Sequence, residues 1–440
     1  MLPQPQPHAS PSVFDLLAPC AWFPVVCWLV GVVGFFLGIS ISVGHLVASF
    51  IVMLPLAFWT TGRSVERAMA AISLLVAALA GHYAVSSSLQ DLFWDSRTYH
   101  FHAVHYLVSG WNPIWQWSPC AAINEPFCLG IPVRDAACYP KAAWIIAASF
   151  YHLSGDVALL PAYKVVHMLG VFWLATRTTQ KVFGASPWWS LIAGGLLAAS
   201  PVTLEQMFHN YLDSTLYAGM TLFFFALLLF LKHGRRQDLL LGLAQLALFL
   251  NVKFTGPVYA VVLVGVLLVI AWRCGFRERI RPLILSSVVT ALFAVCVLGL
   301  NPYISNTVVH ENPLYPAIEK PGERNIIRYQ IHESLGDKNR FSQTVYALFS
   351  FARTNQDAPK LAWPFSRFDY WPKYNTRYSG HGPWFSGALL LSLLCIPFIG
   401  RLGALLALSV LLSMFITPAA WWYRLAPQLS LQYFDKQLQA

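Results

Sequence analysis

Residues 95–113, DSRTYHFHAVHYLVSGWNP, place one Asp, one Arg and three His in a chain of which only 11% is charged. A helix over 95–109, stepped at 100° per residue, collects polar side chains on one arc and apolar side chains opposite, with His100 at the apolar edge. The polar arc consists of Asp95, Thr98, Tyr99, His102, His105, Tyr106 and Ser109. Gly110 and Pro113 then predict the end of the helix.

The polar arc supports three interpretations. An N-cap role for Asp95, with the His simply facing water, explains the Asp but not the whole stripe. Alternatively, Asp95, His102 and His105 share a metal ion, since side chains three apart on a helix can ligate together, although this spacing is not a specific signature. The third interpretation is a divalent cation held by Asp95 together with a sugar phosphate.

A second polar group lies in SPVTLEQMFHNYLDSTLYAG, residues 200–219. Its polar members are Glu205, His209, Asn210, Tyr211 and Asp213. Asp213 at the mouth of an apolar helix costs far less than an acid at the helix centre. We expect Asp213 to be either the N-cap of the helix beginning near 214 or a second acid or metal ligand opposite Asp95.

Several cations lie within or beside apolar segments. Lys253, in LNVKFTGPVY, either extends to lipid headgroups or pairs with the phosphate of a lipid substrate. Lys164 and His167, one turn apart inside another apolar segment, allow the same two roles. Arg424, in AAWWYRLAPQ, either clamps a phosphate or anchors the chain at the interface.

The elements that must position these residues are membrane helices. The chain has 440 residues, 57% of them hydrophobic and 15% aromatic, which is a membrane composition. Spanning needs about 20 apolar residues. Eleven apolar windows occur near 21–41, 43–61, 69–87, 157–176, 187–204, 212–231, 238–254, 256–272, 282–300, 384–400 and 402–420. We predict an all-α polytopic membrane protein with about eleven transmembrane helices.

Basic residues in the short loops set the orientation. They are Arg63, Arg67, Arg177, Lys181, Lys232, Arg235, Arg236, Arg273, Arg277, Arg279, Arg281 and Arg401. They fall in alternate loops when 141–155 is taken as a helix lying at the interface, so the positive-inside rule places them and the N-terminus in the cytoplasm. The loops 88–156 and 301–383 and the turn 205–211 then lie on the outer side, with the candidate residues.

Composition also restricts partners and compartments. The net charge of +10 is not arranged as a basic, aromatic-interleaved patch on a soluble domain, so we expect membrane lipids and no nucleic acid as partners. Cys120, Cys128 and Cys138 share one outer loop and could form one disulfide with one thiol left over, the pairing being open. Residues 1–20 form a cytoplasmic tail without signal-peptide character.

The order DSRTYH, SGWNP, YLD and Lys253, followed by ENPLYP, GHGPWF and WWYRLAPQ, resembles the GT-C superfamily of membrane glycosyltransferases. The resemblance is to the bacterial branch related to protein mannosyltransferases and aminoarabinose transferases, and it covers residues 88–430. Each motif is weak alone, but their order and shared side make the match fairly specific. A domain over 21–430 and a short tail over 431–440 are expected.

The resemblance implies transfer of a sugar from a polyprenyl phosphate carrier to a glycolipid, lipopolysaccharide or protein on the periplasmic face of a bacterial inner membrane. It implies that Asp95 is the catalytic base or a metal-linked acid, with Asp213 as a second acid. Tyr99, His100 and His102 are expected to shape the substrate site. Lys253 and Arg424 are expected to hold the carrier phosphate.

Two features depart from this family. His102 stands where relatives often carry Pro, and the chain ends 16 residues after Arg424, where relatives usually continue. We therefore expect a short or truncated form. Two other functions are compatible with the sequence: a transporter or flippase of a lipid-linked sugar, which would place charges near the bilayer midplane, and an inactive scaffold homologue.

The predicted orientation has a direct test. A reporter fused after residue 335, in the second long outer loop, should report the periplasm because basic loops flank that loop on the opposite side. Alkaline phosphatase and green fluorescent protein fusions at this site measure the two compartments. Fluorescence without phosphatase activity would overturn the orientation.

Overall fold

The computed structural model describes residues 12–89, 91, 95–121, 131–317, 333–351, 360–361, 363–365, 387, 390–391 and 394. The helices of this part are α1 (Ala18–Phe36), α2 (Val43–Thr60), α3 (Val65–Ser86), α4 (Phe101–Val108), α5 (Ile131–Cys138), α6 (Ala142–Ser154), α7 (Tyr163–Phe183), α8 (Pro187–Ala198), α9 (Pro201–Gln206), α10 (Asp213–His233), α11 (Arg236–Leu250), α12 (Gly256–Arg273), α13 (Ile280–Phe293), α14 (Ser305–His310), α15 (Glu333–Gly336) and α16 (Arg340–Phe349). Strands β1 (Ser350–Phe351) and β2 (Lys360–Leu361) form one small antiparallel sheet with Ser350 opposite Leu361. The described part is therefore helical, as the sequence predicts.

Shorter helical turns adjoin several of these helices. Turns of 3-10 type are Val13–Leu17, Pro119–Ala121, Val157–Leu159 and Arg277–Arg279, and π-helical turns are Ser96–His100, Ala294–Leu298 and Leu300–Ile304. Of the predicted tail 1–20, residues 1–11 lie outside the described part, and the chain is helical from Val13. Asp15 anchors this start, since Arg177 Nη1 lies 3.2 Å from its Oδ1.

Seven helical stretches in the described part are long and apolar enough to cross a membrane. They are Val13–Phe36, Val43–Thr60, Val65–Ser86, Val157–Phe183, Asp213–His233, Gly256–Arg273 and Arg277–Leu298. Each matches one of the eleven predicted windows. The windows at 384–400 and 402–420 lie outside the described residues apart from four isolated positions. The full count of eleven is thus not confirmed.

Two predicted windows form helices shorter than a membrane span. The window 187–204 contains α8, with 12 residues, and the window 238–254 contains α11, with 15 residues. At 1.5 Å per residue neither helix reaches the roughly 30 Å of a hydrocarbon core. Both segments nevertheless return the chain to one end of the bundle. Lys164 at the start of α7 contacts the turn before α10, and Asp213 at the start of α10 pairs with Lys253 after α11.

The centre of the bundle is α10, which is buried along its whole spanning window. It packs against α7, α11 and α12. A helix that is apolar all round gains by burying every face, and the run LFFFALLLFL at 222–231 has no polar face to expose.

Helix α6 forms most of the segment 141–155, for which a helix at the membrane interface is expected. It is too short to span, as predicted, and it is enclosed by other helices. Residues 142–150 are buried without exception and pack against α1, α2 and α4. The physical reason is that this segment is apolar on all sides and rich in Ala, so neighbouring helices approach closely.

The SGWNP segment ends α4 and ties it to α1. Gly110 adopts φ +102°, which favours glycine, directly after the last turn of α4. Asn112 Nδ2 and Trp115 Nε1 both donate to the carbonyl of Phe35, at 2.9 and 2.8 Å. That carbonyl is at the C-terminal end of α1, where it also accepts from the Gly38 backbone N–H at 3.0 Å. The helix end predicted from Gly110 and Pro113 is confirmed.

Close packing of α1 on α7 depends on Gly170, and this dependence is testable. A Cβ at Gly170 would lie 2.7 Å from Ala21 Cα and 2.8 Å from its backbone nitrogen, whereas a Cβ at Gly81 in α3 meets nothing within 4 Å. Gly170→Ala should destabilise the protein by about 1–3 kcal/mol through overpacking. Gly81→Ala, the matched control, should be neutral or stabilise by up to about 1 kcal/mol. Thermal unfolding in detergent measures both, and equal stability of the two variants would contradict the packing.

Candidate functional site

Asp95 begins the first half of the candidate site. It directly precedes the π-helical turn Ser96–His100, and its side chain makes no capping hydrogen bond. The N-cap interpretation of Asp95 is therefore not supported. Helical turns of π type inside α-helices are frequently found at functional sites.

Burial along α4 agrees with the predicted polar arc except at Tyr106. His100 and Tyr106 are buried, with 1% and 5% of their surface exposed, whereas His102 and His105 are exposed. The predicted arc placed His100 at the apolar edge of the helix, which agrees with its burial, but it grouped Tyr106 with His102 and His105, and Tyr106 is buried. A Tyr side chain can bury its ring against neighbouring elements from the border of a polar face, and α4 packs on both α5 and α6.

His100 lies in a cluster of aromatic rings. Trp144 Nε1 donates to His100 Nδ1 at 2.8 Å, and because an indole nitrogen can only donate, the ring proton of His100 is carried by Nε2. The ring centroids of Tyr99 and Tyr211 lie 4.2 and 6.3 Å from that of His100. Tyr139 lies 6.0 Å from Tyr99. The cluster joins the first outer loop to the turn before α10.

A second acid, Asp135, lies on the Asp95 side of this cluster. Asp135 is buried, and Arg134 Nε lies 3.1 Å from its Oδ1. Burial raises the pKa of Asp135, the neighbouring Arg134 opposes this, and the charge of Asp95 adds to it. Burial also raises the pKa of Tyr139, with further contributions from Asp135 and Asp95. Asp95, Asp135 and Tyr139 are therefore electrostatic neighbours.

Asp213 and Lys253 form the other half of the site. Lys253 lies in the turn between α11 and α12 and makes an ion pair with Asp213 in the first turn of α10. Gln206 Nε2 donates to Asp213 Oδ2 at 3.2 Å, while Gln206 Oε1 accepts from the Ser214 backbone N–H at 2.9 Å. Gln206 thus caps α10 and orients the acid. A carboxylate at a helix N-terminus is favoured by the helix dipole.

The aromatic cluster reaches this ion pair. Phe254, next to Lys253 in sequence, has its ring 5.3 Å from that of Tyr139, and Tyr211 lies two residues before Asp213. Of the predicted residues, Tyr99 and His100 belong to this group of rings, Asp95 acts electrostatically on Tyr139 within it, and Asp213 and Lys253 adjoin Tyr211 and Phe254 in the chain. Of the two roles considered for Lys253, extension to headgroups is not seen, since only 20% of its side chain is exposed and it pairs with Asp213.

Lys164 holds the turn that carries this half of the site. Its ammonium donates to the carbonyls of Gln206, at 3.0 Å, His209 and Tyr211. A buried ammonium has three N–H donors to satisfy, and these three carbonyls provide partners for them. The partners of Lys164 are protein groups, as is that of His167, whose Nε2 lies 3.3 Å from Gln245 Oε1.

Asp91 attaches the same turn to the first outer loop. Asp91 Oδ2 accepts from the Asn210 backbone N–H at 3.0 Å, and His209 Nδ1 lies 3.3 Å from Asp91 Oδ1. Burial alone would raise the pKa of Asp91, but the interactions with His209 and Asn210 outweigh it and lower the pKa. Asp91 stays ionised and fixes the outer turn.

Lys141 connects the two long outer loops. Its ammonium donates to the carbonyls of Ala137 and Tyr139, at 2.9 and 2.8 Å, and to Asn301 Oδ1 at 2.6 Å. Asn301 Nδ2 donates in turn to the carbonyl of Pro113 at 2.9 Å. Burial lowers the pKa of Lys141 to about 7.

Other candidate residues are not brought to the site. His102 and His105 are exposed on α4, and Arg424 lies outside the described residues. No group of three or more His, Cys, Asp or Glu suited to a metal occurs in the described part, so the metal proposed at Asp95, His102 and His105 is not assembled there. Cys120 is disulfide-bonded and Cys138 is a free, buried thiol. Cys128 lies outside the described residues.

Sequence reasoning missed Asp91, Arg134, Asp135 and Lys141. The available signal was charge in the outer loop itself, since VRDAACYPK at 133–141 concentrates three charged residues in an otherwise apolar chain. The assembled group offers two neighbouring acids on one side of the rings and a cation held by an acid on the other. This arrangement suits proton transfer beside a bound anion.

Comparisons of the chain with protein-family models, curated proteins and solved structures find no match.

The buried ammonium of Lys141 predicts a pH dependence of stability. Because its pKa falls from about 10.5 to about 7 on folding, the unfolded chain binds more protons between these values, and stability rises with pH across this range. Lys141→Met removes the titrating group, so its unfolding midpoint should rise less than that of wild type between pH 7 and 9.

The matched control is Lys181→Met, which removes an exposed Lys and should keep the wild-type slope. Thermal unfolding at several pH values measures the three proteins. Parallel curves for wild type and Lys141→Met would contradict the lowered pKa of Lys141.

Proposed function

We propose that this protein is an integral-membrane glycosyltransferase that moves a sugar from a polyprenyl phosphate carrier to a cell-envelope acceptor. The acceptor is a glycolipid, lipopolysaccharide or protein on the periplasmic face of a bacterial inner membrane. The observation that carries the proposal is the common location of Asp95, Asp213 and Lys253 around the aromatic cluster. Sugar transfer from a phosphate carrier requires a base for the acceptor and positive charge for the leaving phosphate.

In this proposal Asp95 accepts the proton of the acceptor hydroxyl or amine as the new glycosidic bond forms. Asp135, whose pKa is raised, keeps a second carboxyl beside it, and the Arg134 guanidinium limits the repulsion between the two acids. Tyr99 and His100 line the same side. His100 carries its ring proton on Nε2 because Nδ1 accepts from Trp144.

Lys253 stabilises the phosphate that is released as the bond between sugar and carrier breaks. Its ammonium has three N–H donors, of which the ion pair with Asp213 occupies one direction and orients the others. Gln206 holds Asp213, so the cation is positioned before substrate binds. Preorganised charge of this kind stabilises a transition state without reorganisation.

The ligands available beside Asp95 limit how a divalent metal ion could take part in this reaction. Asp95 and Asp135 are two carboxylates, and the described residues offer no third ligand beside them. A divalent cation at Asp95 would have to complete its shell with the donor phosphate and water. The steps assigned above to Asp95 and Lys253 do not depend on such an ion.

The proposed periplasmic location is supported by two observations. Cys120 in the first outer loop is disulfide-bonded, and disulfides persist in oxidising compartments such as the periplasm. The ion pair between Asp213 and Lys253 and the bond between Lys141 and Asn301 join segments that the distribution of basic residues assigns to the outer side.

The two alternative functions are less well supported. A transporter or flippase would use charges deep in the bundle, but Lys164 and His167, the deepest candidates, are bonded to protein groups. An inactive scaffold would tolerate loss of Asp95. The variant experiment below separates this scaffold from the enzyme.

Asp95→Asn should abolish transfer while leaving folding intact, because an amide keeps the shape of the side chain but accepts no proton. A transferase that fails to turn over leaves its sugar-loaded carrier unused. We therefore expect the polyprenyl phosphate sugar to accumulate in cells carrying Asp95→Asn, as in cells without the gene. Mass spectrometry of lipid extracts measures the carrier.

The matched control is His105→Gln, a change of an exposed residue on the same helix, which should keep the carrier at the wild-type level. Membrane levels of each variant are compared by immunoblot. If Asp95→Asn also restores the wild-type carrier level, Asp95 is not catalytic, and an unchanged envelope with Asp95→Ala would favour the scaffold.

A further inference from the structure

A groove of about 630 Å³ lies at the end of the bundle opposite the candidate site, where the chain passes from α12 into α13. It is lined by Trp272, Arg277, Ile280, Arg281, Ile284, Leu285 and Val288. The stretch Arg277–Leu298 is the least buried of the seven spanning stretches, with 17% of its window buried inside the described structure. The groove therefore opens to the surroundings of the bundle in the described part.

The groove has a cationic end and an apolar end. Arg277 and Arg281 lie one turn apart, and Ile284, Leu285 and Val288 continue the same stripe over the next two turns. These apolar side chains are 40%, 61% and 50% exposed. From Arg277 to Val288 the helix rises about 16 Å, which is the length of a phosphate headgroup and the first part of an acyl chain.

The two arginines in the groove carry charge that the described protein does not neutralise. The carboxylate of Glu278 forms an ion pair with Arg279, whose Nη2 lies 3.5 Å from Glu278 Oε1, and not with Arg277 or Arg281. Arg279 itself is engaged with the last carbonyls of α10, at Leu231 and Phe230. Among the described residues neither Arg277 nor Arg281 forms an ion pair with a carboxylate.

Trp272 defines the level of the groove relative to the bilayer. Its ring is 52% exposed, and the guanidinium groups of Arg273 and Arg277 lie 5.2 and 5.9 Å from its centroid. An exposed Trp with Arg against its face is typical of the membrane interface. The basic residues of this loop belong to the set that the positive-inside rule assigns to the cytoplasm, where the leaflet is anionic.

We propose that this groove binds an anionic glycerophospholipid of the cytoplasmic leaflet. Arg277 and Arg281 hold the phosphate, and Ile284, Leu285 and Val288 contact the acyl chain. Charge complementarity selects this occupant, because a zwitterionic lipid would bring its own cation toward two guanidinium groups. The proposal is independent of sugar transfer, since the groove lies at the other end of the bundle.

Native mass spectrometry of the purified, delipidated protein tests this proposal. Phosphatidylglycerol and phosphatidylcholine with identical acyl chains are the probes. Wild type should bind phosphatidylglycerol in preference to phosphatidylcholine. Arg277→Gln/Arg281→Gln should lower the apparent affinity for phosphatidylglycerol roughly tenfold or more and that for phosphatidylcholine, which shares the phosphate but has no net charge, by a smaller factor, so that the preference is lost.

The matched control is Arg235→Gln/Arg236→Gln, which removes two exposed basic residues from the same side but outside the groove. It should retain the wild-type preference. A separate variant, Leu285→Gln, should weaken both lipids because it places a polar group against the acyl chain. If wild type shows no preference for phosphatidylglycerol, as would follow if another segment of the chain fills the groove, or if the two double variants behave alike, the proposal is wrong.

Discussion

The ammonium group of Lys164 imposes the constraint on which the site-bearing end of this bundle depends. Buried within an apolar helix, it must find acceptors for three N–H groups, and it finds them in the carbonyls of Gln206, His209 and Tyr211. These bonds fix the turn that precedes α10. The same turn contains Gln206, which holds Asp213, so the position of the ion pair with Lys253 follows from the satisfaction of one buried cation.

The two halves of the candidate site are connected by packed aromatic rings rather than by ion pairs. His100, Tyr99 and Tyr139 lie between the acids of the first outer loop and the ion pair, and Trp144 fixes the ring of His100. Rings of this size keep the groups at a set separation and reduce the water around them, which strengthens electrostatic interactions. Lys141 holds the second long loop against the first in a similar manner to Lys164. Two buried lysines, Lys141 and Lys164, therefore hold loop segments in place, while the proposed chemistry is assigned to other charged residues.

Local features of the sequence predicted local features of the fold. The end of α4 followed from Gly110 and Pro113, and seven spans followed from continuous apolar runs. The burial of Tyr106 did not follow, because a pattern of polar residues does not show which amphipathic side chain of a helix packs its ring against neighbouring elements. The pairing of Asp213 with Lys253 joins residues 40 positions apart and arises from helix packing, so the sequence could place both on the outer side but could not pair them. The difference between Lys253, which pairs with Asp213, and Lys164, whose partners are backbone carbonyls, likewise became visible only with their neighbours.

The central claim is that a sugar passes from a polyprenyl phosphate carrier to an envelope acceptor. Comparative mass spectrometry of lipopolysaccharide, glycolipids and periplasmic proteins from cells with and without the gene tests it most directly. The account predicts that one class of acceptor loses a defined sugar mass when the gene is removed and regains it when the gene is restored. Identical masses in all three fractions, under conditions in which the protein is present in wild-type membranes, would contradict it.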